Sequence, residues 1–334
     1  MKRISIREMK YYNMIRMNYT LNELLRREKE ISGFIFTFEN LRWIDPSGAV
    51  IFLETIDNLK EHNIYIEFEP IDETRSAVSY GVNIGIFQRL GLSESTSKEK
   101  GETYLAPTKI TLDDVSNLLS DVNQNIEYYF EFISDEISKK ILRYNKLLYD
   151  KRIKKLFIYV IRELIRNIFD HSKTNYYYYG SQFIPSTNTV ELVIADRGVG
   201  LKNTIPFDSE EKWFGQDTAE NAIKKAFMPG VTAASNHGYA SDDYLNSGFG
   251  LAMVRSLISK ADGILSVATS EKSITFANKK YRMMDCNIQG TVIRLRVDLK
   301  RLSMVDFNKQ LDLVSKEAQS LDNSFKPSKR SLTL

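Results

Sequence analysis

Residues 154–172, with the sequence KKLFIYVIRELIRNIFDHS, constrain the fold of this chain more than any other stretch. At about 100° per residue, an apolar set gathers on one side of a predicted helix, namely Phe157, Ile161, Leu164, Ile165 and Ile168. The opposite side carries Glu163, Asn167 and Asp170 at a spacing of i, i+4 and i+7. A solvated face normally shows Lys and Glu, whereas a carboxylate and a carboxamide one turn apart can hold a hard cation such as Mg²⁺. This face is therefore either an incidental acidic stripe or part of a cation site.

Glycine-containing segments follow the helix at three places, which are VELVIADRGVGL at 190–201, NSGFGLAMVRSLISKADG at 246–263 and GTVIRLRV at 290–297. Glycines at the ends of strands and helices let backbone N–H groups approach a phosphate closely, and a helix N-terminus adds a favourable dipole. One such glycine pair alone is equally consistent with an ordinary turn. The helix and the three segments together, in this order, indicate a phosphate-binding site.

In this order the elements resemble the GHKL family of ATP-binding domains, named for gyrase, a heat-shock chaperone, histidine kinases and a mismatch-repair protein. The resemblance covers roughly residues 140–300 and rests on four motifs. They are Glu163-x-x-x-Asn167 as the N box, Asp196-x-Gly198-x-Gly200 as the first glycine box, Ser247-Gly248-Phe249-Gly250-Leu251 as the second, and Gly290-Thr291 as the last.

The resemblance implies ATP and Mg²⁺ as cofactors and assigns roles to the motif residues. It implies that Asn167 coordinates Mg²⁺ and that Asp196 accepts a hydrogen bond from the adenine amino group. Where a family member is catalytic, Glu163 would orient or deprotonate the attacking nucleophile. The implied cofactor-binding set is Asn167, Asp170, Asp196, Gly198, Gly200, Ser247, Gly248, Phe249, Gly250, Leu251 and Thr291.

The N-terminal part predicts a small α/β module. Residues 34–38 and 64–68 are β-prone strands, and residues 49–59 between them have helical spacing. Asp45 can cap this helix, and Pro46 is tolerated in its first turn.

The turn Ile44-Asp45-Pro46-Ser47-Gly48 resembles that of a STAS domain, the fold of anti-sigma-factor antagonists and of related lipid-transport and partner-switching proteins. The resemblance covers about residues 30–95. In antagonists the serine before the glycine is phosphorylated, which implies Ser47 as the phosphoacceptor, although their preceding serine is Pro46 here. The alternative is that Ser47 only satisfies backbone N–H groups in the first turn of the helix.

The length of 334 residues favours about two domains. We divide the chain into a STAS-like domain, a polar linker, a GHKL domain with its leading helices and a polar tail, at 1–95, 96–110, 111–310 and 311–334. The expected fold class is α+β. The resemblances imply a C-terminal two-layer α/β sandwich of the GHKL (Bergerat) type with a mixed sheet, and a small STAS-like α/β domain before it.

Composition limits the other function classes. A single cysteine, Cys286, excludes intrachain disulfides and fits a reducing compartment. No run approaches 18 apolar residues and no signal-peptide core is present, so we expect a cytoplasmic protein without a membrane segment. A net charge of +3 is too small to argue for nucleic acid by itself.

The basic run at 139–155 contains eight Lys or Arg and one acid, Asp150. Such a run could contact nucleic acid phosphates, but it is more often a solvated helix face. In GHKL proteins the helices before the N box often form dimer contacts, which makes a homodimer the third interpretation.

Other segments carry narrower predictions. The tyrosines of TNYYYYGSQF, at 174–183, predict a strand whose rings either pack in a sheet or stack on adenine. Residues 228–247 predict a long loop, which matches the family's ATP lid in position. Residues 265–268 and 274–276 predict a hairpin around 270–272.

Two functions remain open from the sequence. No histidine lies in a phosphoacceptor-like helical hairpin before the N box, which disfavours a histidine kinase. Asp170-His171 instead resembles the anti-sigma-factor serine kinases, which work opposite STAS partners. We expect a Mg²⁺-dependent ATPase or serine/threonine-kinase-like enzyme with a regulatory protein partner. The alternative is a nucleotide-gated interaction module with little or no turnover.

Overall fold

The computed structural model describes residues 1–28, 30–95, 103–143, 150–205, 217–231, 248–277 and 280–321. The chain has a mixed α/β fold with several sheets, which is compatible with the α+β class expected from the sequence. We call residues 1–95 the N-terminal module and residues 103–321 the C-terminal unit. None of the described helices is long and apolar enough to cross a lipid bilayer.

The N-terminal module is built around a small parallel sheet in the order β1-β3-β5. Its elements are β1 Lys2–Ser5, β2 Glu8–Met9, α1 Tyr11–Arg27, β3 Gly33–Thr37, β4 Trp43–Ile44, α2 Pro46–Glu61, β5 Tyr65–Phe68, α3 Ser76–Asn83 and α4 Ile86–Arg89. The predicted cap of α2 is confirmed, since the Asp45 side chain accepts a hydrogen bond of 2.7 Å from the Gly48 N–H. Most of α2 is buried, because it lies between this sheet and the sheet of the C-terminal unit.

The C-terminal unit is built on a five-stranded sheet in the order β6-β7-β8-β10-β9. Its elements are β6 Tyr104–Thr111, α5 Leu112–Asp121, α6 Ile126–Leu142, α7 Lys151–Asn167, β7 Tyr176–Ile184, β8 Thr189–Asp196, α8 Ala219–Ala226, α9 Gly250–Lys260, β9 Ile264–Ala277, β10 Lys280–Asp298, α10 Leu299–Ser303 and α11 Phe307–Leu321.

The strand directions correct the expected mixed sheet. Every pair of neighbouring strands described in this sheet is antiparallel. Short connections join β7 to β8 and β9 to β10. Such connections suit antiparallel neighbours, because parallel neighbours need a long crossover connection.

Both faces of the five-stranded sheet are buried. Alternate residues such as Tyr177, Leu192 and Ile293 share a core with α6, α7 and α9. The intervening residues, such as Tyr178 and Val193, pack with α1 and α2 of the N-terminal module. The C-terminal unit is thus a two-layer arrangement whose open sheet face is closed by the N-terminal module. The predicted tyrosine strand is confirmed as β7, and its tyrosines pack against these two layers.

Three boundaries differ from the predictions, each for a physical reason. Residues 104–110, assigned to the linker, belong to the edge strand β6, whose polar residues and Pro107 suit a strand with one free side. The expected hairpin at 265–276 is one strand, β9, which is irregular near Ser270 because that residue has a positive φ. Residues 311–321, assigned to the tail, belong to α11, because Leu311, Val314 and Ala318 join the core.

Candidate functional site

A cleft opens between the end of α7, the loop after β8 and the start of α9, and encloses about 660 Å³ of space that is partly open to solvent. Most of the predicted cofactor-binding residues line it together, namely Asn167, Asp196, Gly200, Gly248, Gly250, Leu251 and Thr291. They come from four separate segments of the chain, which the fold brings to one place. No tyrosine of β7 lines the cleft, which favours sheet packing over the alternative of stacking on adenine.

The rest of the lining is mainly apolar. It consists of Leu164, Ile168, His171, Ser172, Leu201, Thr204, Ile205, Ala226, Val231 and Ile293. Burial lowers the pKa of His171, which favours a neutral imidazole at pH 7. Thr204 and Ile205 were missed by sequence reasoning, because they lie in the loop beyond the glycine motif. Their closeness to Gly200 in sequence is the only signal that could have pointed to them.

Asp196 is the buried carboxylate of the cleft and ends β8, where its side chain is 5% exposed. One carboxylate oxygen, Oδ1, accepts a hydrogen bond of 2.8 Å from the Gly198 N–H. Burial raises the pKa of Asp196 to about 7, although backbone hydrogen bonds from Gly198 and Thr291 oppose the shift. A buried acceptor that borders an apolar cleft suits a ligand that offers an N–H donor.

Gly198 lets the loop after Asp196 pack closely against the backbone at Ser172, five residues beyond the end of α7. A Cβ at this position would lie 1.8 Å from the Ser172 carbonyl oxygen. The next residue, Val199, donates its backbone N–H to that same oxygen at 2.8 Å. Gly198 therefore shapes the cleft wall from behind, and it does not line the cleft itself.

Asn167 ends α7 and borders the cleft. Its side-chain nitrogen donates to the Glu163 carbonyl oxygen at 2.5 Å, which leaves the side-chain oxygen as the atom suited to meet a cation. A π-helical turn, Ile168–Ser172, follows directly, and such turns occur frequently at functional sites. Among the described residues, no group of three or more His, Cys, Asp or Glu side chains could hold a metal ion.

Glu163 lies behind the cleft and does not line it, contrary to what a base in direct contact with substrate needs. The residue is 3% exposed, and a Cβ on Gly250 would lie 2.1 Å from its Oε2. Burial raises the pKa of Glu163, while the nearby Arg162 and Arg166 lower it. Its Oε1 lies 3.5 Å from Arg162 Nε, so a buried cation stands beside this carboxylate. The start of α9 thus separates this carboxylate from the cleft.

Two other predicted residues, Asp170 and Phe249, lie outside the lining. Asp170 is exposed and forms an ion pair of 3.2 Å with Arg166. The Phe249 side chain is fully buried in the core, so this residue serves packing at the start of α9. Ser247 and residues 232–246 of the expected lid lie outside the described residues.

Ser47, the expected phosphoacceptor, lies on the opposite face of the five-stranded sheet. Its side chain is fully buried, and its hydroxyl donates to Glu191 on β8. The other oxygen of Glu191 accepts from Arg294 at 2.7 Å. In this arrangement the Ser47 hydroxyl is inaccessible and is separated from the cleft by the sheet. It also differs from the alternative role in the first turn, because the hydroxyl donates to Glu191 and it is Asp45 that accepts from the Gly48 N–H.

Comparisons with known proteins identify no family for this chain. No model of a known protein family matches the chain, and no curated protein matches it.

Proposed function

We propose that the chain is an ATP-binding protein of the GHKL type that acts with Mg²⁺ in a regulatory role. The observation that carries this proposal is the joint lining of one cleft by Asn167, Asp196, Gly248, Gly250 and Thr291.

The residues present fit the parts of a nucleotide. Asp196 offers a buried acceptor for an exocyclic amine, and apolar neighbours such as Ile168 and Ile293 suit the faces of a purine ring. The backbone N–H groups at the start of α9 favour an anion, because they lack intrahelical partners and lie at the positive end of the helix dipole. Asn167 would hold Mg²⁺ together with phosphate oxygens, which is the usual way proteins bind this ion.

We propose phosphoryl transfer or ATP hydrolysis as the reaction. Bound Mg²⁺ would neutralise charge on the phosphates during transfer. The groups near Asn167 would position the nucleotide. A water or a serine or threonine hydroxyl would bond to the γ-phosphorus while the bond to the β–γ bridging oxygen breaks and ADP leaves. Glu163 would act as the base after a small displacement of the start of α9, since Gly250 now lies between this carboxylate and the cleft.

The second candidate is a nucleotide-gated interaction module with little turnover. The position of Glu163 favours it, because a carboxylate sealed behind Gly250 cannot reach a nucleophile in the present arrangement. In this case nucleotide binding would change which partner the protein holds.

A STAS-like role for the N-terminal module belongs to the same proposal. Because Ser47 is buried against Glu191, a serine on a separate protein is the better acceptor for transfer from the cleft. Phosphorylation of Ser47 itself would require the N-terminal module to leave the sheet.

Incubation with Mg-ATP separates the two candidates. Phosphate release or an intact-mass increase of one phosphoryl group on an added STAS protein would support the enzyme, provided that Glu163→Gln abolishes it. Nucleotide binding without either signal would favour the gated module. Absence of nucleotide binding would reject both.

A further inference from the structure

Arg197 stands at the centre of the first glycine motif, between Asp196 and Gly198, and has no part in lining the cleft. The residue is 8% exposed, and its side chain runs to the other face of the sheet. There it meets α2 of the N-terminal module. The same short loop thus carries the buried carboxylate of the cleft and a cation that contacts the other module.

The contacts of Arg197 with α2 follow one face of that helix. Glu54, Asn58 and Glu61 lie at i, i+4 and i+7 and therefore project from the same side. Arg197 Nη1 lies 2.7 Å from Glu61 Oε1, and Nη2 donates to Asn58 Oδ1 at 2.8 Å. Its Nε lies 3.8 Å from Glu54 Oε2.

Arg197 also donates hydrogen bonds to two residues of its own C-terminal unit. Its Nη2 donates to Gln289 Oε1 at 2.9 Å, and its Nη1 donates to the Tyr176 hydroxyl at 3.2 Å. A guanidinium has five N–H donors in a fixed planar fork, so one side chain can join both modules. A lysine ammonium is a point charge and cannot reproduce this set of contacts.

Glu54 makes this junction sensitive to the loss of Arg197. The residue is 6% exposed, and burial raises its pKa well above the ordinary value while Arg197 lowers it. Removing Arg197 would take away the cation that opposes this shift, and Asn58 and Glu61 would lose the donor that they share. The loop after Asp196 and the face of α2 are therefore held in register.

We propose that Arg197 is a positioning residue that couples ligand binding in the cleft to docking of the N-terminal module on the sheet. Asp196 and Gly198 shape the cleft on one side of the loop, and Arg197 ties the same loop to α2 on the other. Such coupling is reciprocal: nucleotide tightens the docking of α2, and a docked α2 raises nucleotide affinity by the same factor. This inference rests on the proposed function, with ADP as the probe.

The test combines calorimetric titration of the full chain with Mg-ADP and hydrogen exchange of the amides at 54–64. In the wild type, saturating ADP should slow exchange in this segment. Arg197→Met should reduce ADP affinity by about 5- to 150-fold, the usual range of such coupling, and should abolish the ADP-dependent protection. Arg197→Lys should restore part of both effects because the charge returns without the fork.

Two further variants keep the test decisive. Glu61→Gln weakens the junction at a side chain that is 54% exposed, so the fold should survive even where Arg197→Met does not. It should reduce both signals in the same direction. Arg301→Ala removes an exposed arginine–carboxylate pair of 2.6 Å with Asp262, far from the loop, and should behave as the wild type.

The outcomes distinguish a failure of the coupling from a failure of the proposed nucleotide binding. ADP affinity and ADP-dependent protection that stay at wild-type values in folded Arg197→Met and Glu61→Gln would overturn the coupling alone. Absence of ADP binding by the wild type would overturn the proposed function and the coupling with it.

Discussion

The buried carboxylate of Asp196 should lower the stability of the protein at neutral and alkaline pH. Its place at the end of β8 serves ligand recognition in our account, and burial of an ionisable group there is unfavourable for folding. Asp196→Asn keeps the shape of the side chain and an oxygen that can accept from the Gly198 N–H, and any change at the Thr291 N–H is the same at every pH. It removes the ionisation, so the variant should be more stable than the wild type when the carboxyl would be charged.

The size of the effect follows from the pKa. Burial raises the pKa of Asp196 from 3.8 to about 7, whereas the unfolded chain retains the ordinary value. Because the unfolded chain ionises first, the contribution of this group favours folding at low pH and is lost as the pH rises through the folded pKa. At about 1.4 kcal/mol per pKa unit, the penalty reaches about 2 kcal/mol at pH 5 and about 4 kcal/mol at pH 8, both as upper limits.

Urea unfolding of both proteins at pH 5 and pH 8 measures this penalty. The stability advantage of Asp196→Asn should grow by roughly 2 kcal/mol between the two pH values. Asp312→Asn, at an exposed position of α11, is the matched control and should show no comparable change. An advantage that is equal at both pH values would refute the argument that Asp196 ionises against its surroundings.

Three further outcomes are expected. Asn167→Ala should weaken Mg²⁺-dependent ADP binding and leave Mg²⁺-free binding nearly unchanged; a variant that keeps the full magnesium dependence would place the metal elsewhere. Glu163→Gln should keep ATP affinity but lose about 10²–10⁴-fold in phosphate release or transfer, and undiminished turnover would remove Glu163 from the mechanism. Ser47→Ala should lower the free energy of unfolding by about 1–3 kcal/mol because Glu191 loses a buried donor, whereas the exposed Ser320→Ala should change it little; equal stability would contradict the contact.

The candidate site was largely predictable from the sequence because its signals are local. Asp196 and the glycines mark strand and helix ends, and these ends fix where backbone N–H groups point. The Asp45 cap of α2 was equally predictable from the sequence, because a capping side chain bonds to a backbone N–H of its own turn. What local patterns could not give was the direction of β6 and the antiparallel pairing of the whole sheet, which depend on contacts between distant segments.

The burial of polar groups between layers was also beyond local patterns. The spacing of Glu163 with Asn167 predicted a shared polar face, but α9 covers Glu163 and leaves Asn167 at the cleft. Ser47 had the expected place in its turn, yet the sheet of the other unit buries it. Arg197 carried no sequence signal at all, because its partners on α2 are more than a hundred residues away.

Calorimetric titration with Mg-ADP tests most directly whether the cleft binds a nucleotide. The account predicts saturable binding by the wild type and an affinity about ten- to a hundredfold lower in Asp196→Ala, because a charged hydrogen bond of about 1.5–3 kcal/mol is lost. Circular dichroism should show that the variant remains folded. No binding by the wild type, or an unchanged affinity in folded Asp196→Ala, would contradict the account.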